Sequence, residues 1–183
     1  PEVVREALLS LAERETAARR EQAMVILKDD DGDPFFGNPE ASFVIYEFSD
    51  YNCGYCKRVF TTLQDLIAED DDIKLVVKEF PILSESSLLA AQAGIAAQAQ
   101  GVFEEFHVAM MTARGGVSMD SIMTAAQSAG ADLDRLQADM SSPAVQAIIS
   151  RTRAAAQQLE ISGTPGLVIG RQIIPGAIDL EQM

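Results

Sequence analysis

The chain has 183 residues, with 14 Lys and Arg against 28 Asp and Glu. That length suits one domain with an appendage, and a net charge of −14 argues against a binder of nucleic acid or of anionic membrane surfaces. Two cysteines cannot staple a fold of this size or complete a four-ligand zinc site, and a lone histidine, His107, argues against a histidine-based metal centre or a conventional catalytic triad; no cofactor or metal is expected.

Residues 2–24 are rich in Ala, Glu, Arg and Leu, without Gly or Pro, and read as a helix. Val4, Leu8, Leu11, Ala18 and Val25 form a thin seam, interrupted by Glu15 and Gln22. Such an arm, residues 1–28, either lies on the domain or joins copies of the chain into a homo-oligomer. Asp29 to Glu40, DDDGDPFFGNPE, reads as a solvated break without a regular element. Its aspartates lack the spacing and closing glutamate of a calcium loop.

Residues 42–48, SFVIYEF, form a strand candidate, followed directly by SDYNCGYCKR. Val59, Phe60, Leu63, Leu66 and Ile67 then repeat at helical spacing, and IKLVVKEFP, residues 73–81, is a second strand closing on proline. The cysteine pair thus sits where a strand of a β-α-β unit gives way to its crossover helix. Residues 84–160 are helical in character, with Gly130 as a stop and Ser142-Pro143 as a start. GTPGLVIG, residues 163–170, and the following RQIIPGAID return to strand character and suit a hairpin. The order implies an α/β fold: a thioredoxin-like core with an inserted helical block at about 84–160, preceded by an N-terminal helix.

Cys53 and Cys56 carry the chemistry. A cysteine at a helix start faces free backbone N–H groups and the positive end of the macrodipole, so the Cys53 thiolate is expected to be favoured. Cys53 is then the attacking thiol and Cys56, one turn further in, the resolving thiol. Gly54 and Tyr55 would tune the balance of dithiol and disulfide. A structural bridge over so short a loop removes little unfolded-state entropy. Two thiolates also suit Cu(I), so copper binding by the same pair is the alternative. Thr164-Pro165 precedes a strand, and a cis bond there would leave the Thr164 backbone free to pair with an extended substrate. Glu47 and Lys78 lie within the two strands; they are either a buried pair able to carry protons for Cys56 or two solvated edge charges. His107 and the scattered methionines read as ordinary packing residues, the histidine at the surface or half-buried.

SDYNCGYCKR, KEFPIL and GTPGLVIG–IIPGA together resemble the DsbA-like branch of the bacterial thioredoxin superfamily, from about Gly37 to the end. The resemblance implies a domain over 37–183, export to the periplasm and a cis Pro165. It also implies that Glu47, six residues before Cys53, matches the family's buried acid and that Lys78 matches its partner. Gly54-Tyr55 and Thr164 are similar to the family's isomerases rather than its principal oxidase, which carries Pro-His and valine there. Asp-Tyr-Asn before CGYC is similar to the ScsC-like, suppressor-of-copper-sensitivity group. The implied activity is a thiol-disulfide isomerase or reductase of cysteine-containing periplasmic proteins, served by a membrane redox partner, with a dithiol oxidase as alternative. The start at Pro1 without a methionine reads as a trimmed or processed chain, so the missing signal peptide says nothing about export, and the acidity implies that contacts are not driven by attraction to anions.

Overall fold

A computed structural model describes residues 2–176. Five strands, β1 (Phe35–Gly37), β2 (Phe43–Ser49), β3 (Ile73–Glu79), β4 (Gly166–Ile169) and β5 (Gln172–Pro175), form one sheet in the order β1-β3-β2-β4-β5. β2 and β3 are parallel; the other neighbours are antiparallel. The parallel pair needs a crossover, supplied by α2 (Gly54–Glu69). β4 and β5 form the expected hairpin; the residues after Gly176 lie outside the described ones.

Between β3 and β4 run five helices: α3 (Glu85–Gln98), α4 (Phe103–Thr112), α5 (Met119–Ser128), α6 (Leu133–Met140) and α7 (Pro143–Gln158). Short polar residues start four of them. Ser84, Ser118, Asp132 and Ser142 each accept from a backbone N–H of the first turn, and Pro143 follows Ser142 as the first helical residue.

Alternation along the strands sorts the core into two layers. Ile45, Leu75, Val77 and Leu167 face α2 and the helices α3–α6, packing on Phe60, Leu63, Phe103, Phe106 and Met110. Tyr46, Phe48, Val76 and Val168 face the other way, onto Ala155 and Ala156 of α7 and Leu159 at its end. α1 (Glu2–Lys28) joins this second layer through its last turns, where Ala23 and Leu27 are buried and Met24 and Ile26 pack against the cluster. Its earlier apolar residues stay in solvent: Val4 is 63% exposed, Leu8 62% and Leu11 53%. The end of the helix therefore lies on the domain, while the apolar side chains of its first turns are exposed.

Two expectations are corrected. The Asp-rich break contains β1, because Phe36 belongs to the core, with its ring centroid 5.6 Å from Phe60 and 5.2 Å from Phe103. Gly37 closes the strand at φ +80, where a Cβ would collide with the Ile73 carbonyl. The break is also not simply solvated: Asp33 is buried and holds two cations, described below.

Candidate active site

β2 delivers the chain into α2 through Asp50-Tyr51-Asn52, and Cys53 is the N-cap of that helix. Its sulfur accepts from the Cys56 backbone N–H at 3.2 Å, and its thiol lies 3.3 Å from the Thr164 carbonyl, to which it donates. Both thiols are free. The Thr164-Pro165 peptide bond is cis, and Pro165 is buried at the head of β4. Cysteine loop and proline turn, 111 residues apart in sequence, thus meet at one corner of the sheet. Gly54 opens to solvent and Tyr55 is 58% exposed beside the thiols.

Cys56 is sealed inside. Burial first, then charge on Glu47, pushes its thiol well up from the ordinary value. Glu47 sits on the same face of β2 as Ile45 and is fully buried, and neither carboxylate oxygen has a hydrogen-bond partner among the described residues. Burial pushes its pKa up to about 7, with only a weak opposing pull from the nearby Ser49 hydroxyl. The charge on this carboxyl is thus felt by the inner thiol.

Lys78 is not its partner. In the parallel register Lys78 stands opposite Phe48, whereas Glu47 stands opposite Val77, so the two charges emerge on opposite faces of the sheet. Lys78 instead forms a short ion pair with Asp33, with its ammonium 5.7 Å from the Tyr46 ring centroid. Arg151 of α7 reaches the same Asp33 oxygen at 3.1 Å and the Asp31 carbonyl at 2.7 Å. Burial drives Asp33 up and Lys78 down from their ordinary values, against the pull of the pair. This cluster fastens the break to β3 and α7 on the side away from the thiols, so Lys78 belongs to the scaffold.

Sequence reasoning missed the polar groups behind the loop. Asp50 is buried and accepts from Asn52 N, Ile82 N, Leu83 N and Ser87 Oγ at 2.7–3.1 Å. Tyr51 donates to Glu79 at 2.9 Å, and its hydroxyl lies 2.9 Å from His107 Nδ1. His107 is fully buried against Phe36, Phe60 and Phe103, not at the surface or half-buried, and burial lowers its pKa to about 3. Gly94 of α3 makes room for this chain, since a Cβ there would lie 2.7 Å from Glu79 Oε1 and 2.8 Å from the Tyr51 hydroxyl. A glycine amid the alanines of α3 was the available signal.

A strand, a C-x-x-C helix start and a facing cis proline in one α/β sheet make a thioredoxin-like site. A model of the DsbA-like thioredoxin domain matches residues 44–183. The chain belongs to the DsbA-like family. Among solved structures it is similar to a thioredoxin-like oxidoreductase from Silicibacter pomeroyi, 39% identical over 86% of this chain and 91% of that one, with a TM-score of 0.82. Proteus mirabilis ScsC in a transitional conformation matches 100% of this chain and 85% of that one, at 28% identity and a TM-score of 0.83. A periplasmic thioredoxin-like protein from Salmonella enterica serovar Typhimurium matches 88% and 91%, at 27% identity and a TM-score of 0.78. The chain spans about a quarter of the length of the curated relatives it matches, which are Na(+)/H(+) antiporters NhaA; that from Salinispora tropica is 24% identical over 94% of this chain and 28% of its own length. A free cysteine pair placed in this way in a DsbA-like domain is consistent with thiol-disulfide chemistry.

Proposed function

We propose that the protein is a thiol-disulfide isomerase or reductase acting on cysteine-containing proteins in the periplasm. The observation that carries this reading is the placement of the Cys53 sulfur, at a helix N-cap and 3.3 Å from the Thr164 carbonyl, with Cys56 buried behind it. The Cys53 thiolate attacks one sulfur of a substrate disulfide; that S–S bond breaks, one substrate thiolate leaves, and a mixed disulfide forms. Isomerisation follows when a different thiolate of the substrate attacks the mixed disulfide, forming a new substrate disulfide and restoring the Cys53 thiolate; attack by the released thiolate only re-forms the original bond. Reduction follows when Cys56 attacks Cys53 instead, its proton passing to Glu47. Two electrons then leave the dithiol and the second substrate thiolate is freed. Thr164 and Pro165 bound the substrate's seat, and Gly54 and Tyr55 set the balance between dithiol and disulfide. Continued turnover as a reductase requires an electron donor, for an exported protein a membrane-borne one.

Reactivation of a scrambled multi-disulfide protein by the reduced enzyme tests this reading. Recovery that disappears in Cys53→Ala supports it, and no recovery above that variant contradicts it. The exposed Val4, Leu8 and Leu11 of α1 support self-association through residues 2–24, because apolar side chains in a row seek cover. Sedimentation of the wild type should show an oligomer, and Leu8→Ser/Leu11→Ser a monomer; a monomeric wild type contradicts that arrangement.

Glu47→Gln separates proton transfer from packing. Folded Glu47 keeps its proton between pH 4.5 and about 7, where the unfolded chain has already released it. Stability therefore falls as pH rises through that window, and above it the buried charge costs about 3 kcal/mol. The variant should be more stable than wild type at pH 8 by about that amount and nearly equal at pH 4, as read by urea denaturation of the reduced form. Its closure of the Cys53–Cys56 disulfide should slow by about 10²-fold.

A further inference from the structure

The chain is acidic, yet three cations gather at the redox loop. Lys57 and Arg58 follow Cys56 directly, and Arg114 stands in the loop between α4 and α5. Lys57 Nζ donates to the carbonyl of Ala113, the residue before Arg114, at 3.1 Å. At the far end of the same loop the Val117 N–H donates to Asn52 Oδ1 at 3.3 Å. The two side chains that bracket the cysteine pair in sequence therefore pin both ends of this strap beside it. Between the pins Arg114, Gly115 and Gly116 are exposed, and both glycines face open space. The Arg58 guanidinium lies 4.2 Å from the centroid of the exposed Tyr55 ring, next to the thiols.

Among the described residues Lys57, Arg58 and Arg114 form no ion pair, so their charges are available beside the thiols. The carboxylates nearest in the chain do not neutralise them. Asp50 is buried and spent on four donors, while Asp65, Glu105 and Asp120 pair with none of the three among the described residues. We propose that this strap and the first turns of α2 form a docking surface for an acidic polypeptide segment beside the substrate's reacting cysteine. The inference rests on the oxidoreductase reading and names which substrates it favours. The net charge of −14 weakens long-range attraction of anions, but beyond ~8 Å that field is screened at physiological salt, and within that distance the three unpaired cations dominate. Such a surface orients an anionic segment after encounter rather than collecting it from afar.

The test uses the reduced protein and two peptide disulfides that differ only in Asp-Glu or Lys-Arg beside the cysteine, with a small neutral disulfide as reference. Each event releases two peptide thiols and leaves one Cys53–Cys56 disulfide. The acidic peptide should react about tenfold faster than the basic one at low salt. That preference should vanish near 1 M salt, where the screening length is ~3 Å, and in Arg58→Ser/Arg114→Ser, while the rate with the neutral disulfide stays that of wild type. Equal rates, a basic preference, or an acidic preference that survives both salt and the double substitution overturns the docking surface alone. Failure to react with any of the three disulfides overturns the oxidoreductase reading and the docking surface with it.

Discussion

Cys56→Ser should accumulate a covalent complex with substrate, while Cys53→Ser should form none. The asymmetry follows from position. Cys53 caps α2 at its open end and touches the Thr164 carbonyl, within reach of an incoming disulfide. Cys56 is fully buried and its thiol is pushed well up, so it reacts only with a sulfur already brought to Cys53. Without Cys56 the mixed disulfide loses its internal escape, and reductase turnover should fall by about 10³-fold or more, the loss expected when one member of a cooperating pair is removed. Non-reducing gels and mass spectrometry of the trapped species check this. A complex formed equally by both variants would mean that either thiol can attack.

Asp33→Ala should be the most destabilising single substitution outside the core, by about 3–5 kcal/mol. It leaves the Lys78 ammonium buried and unpaired and removes one of the anchors of Arg151. Asp33→Ala/Lys78→Met should recover much of the loss, since an apolar replacement of both partners removes the uncompensated charge. Urea denaturation of the two variants checks the pair. The redox chemistry of Asp33→Ala in its folded fraction should match wild type, because this cluster lies on the sheet face opposite Glu47 and Cys56. If the substitution instead changed thiol reactivity while stability held, the assignment of Lys78 to the scaffold would fail.

The contrast between Asp33 and Cys53 shows what the sequence made legible. Cys53, Cys56, Thr164 and Pro165 lie in short local patterns, strand then C-x-x-C then helix, and Gly-Thr-Pro then strand, so their elements follow from neighbouring residues. Alternation along β2 likewise separates Ile45 from Tyr46 and Phe48. That Glu47 and Lys78 are not partners was not legible, because pairing across strands depends on register, and register placed Lys78 on the other face. Asp33 was hidden among aspartates that do reach solvent: Asp29 is exposed while Asp33 is buried. Tyr51, Glu79 and His107 come from β2's exit, β3 and α4, and only the folded core brings them together. β1 was obscured by the glycines and prolines around two phenylalanines.

The central claim is that one dithiol at this corner of the sheet exchanges electrons with protein disulfides through Cys53. Its most direct test is a stoichiometric titration of the reduced protein with a disulfide-bonded protein substrate, following both partners by mass. The expected result is one substrate disulfide opened for each Cys53–Cys56 disulfide formed, with a mixed disulfide on Cys53 as the only intermediate. A substrate left unreduced while both thiols stay free, or a mixed disulfide found on Cys56, would contradict it.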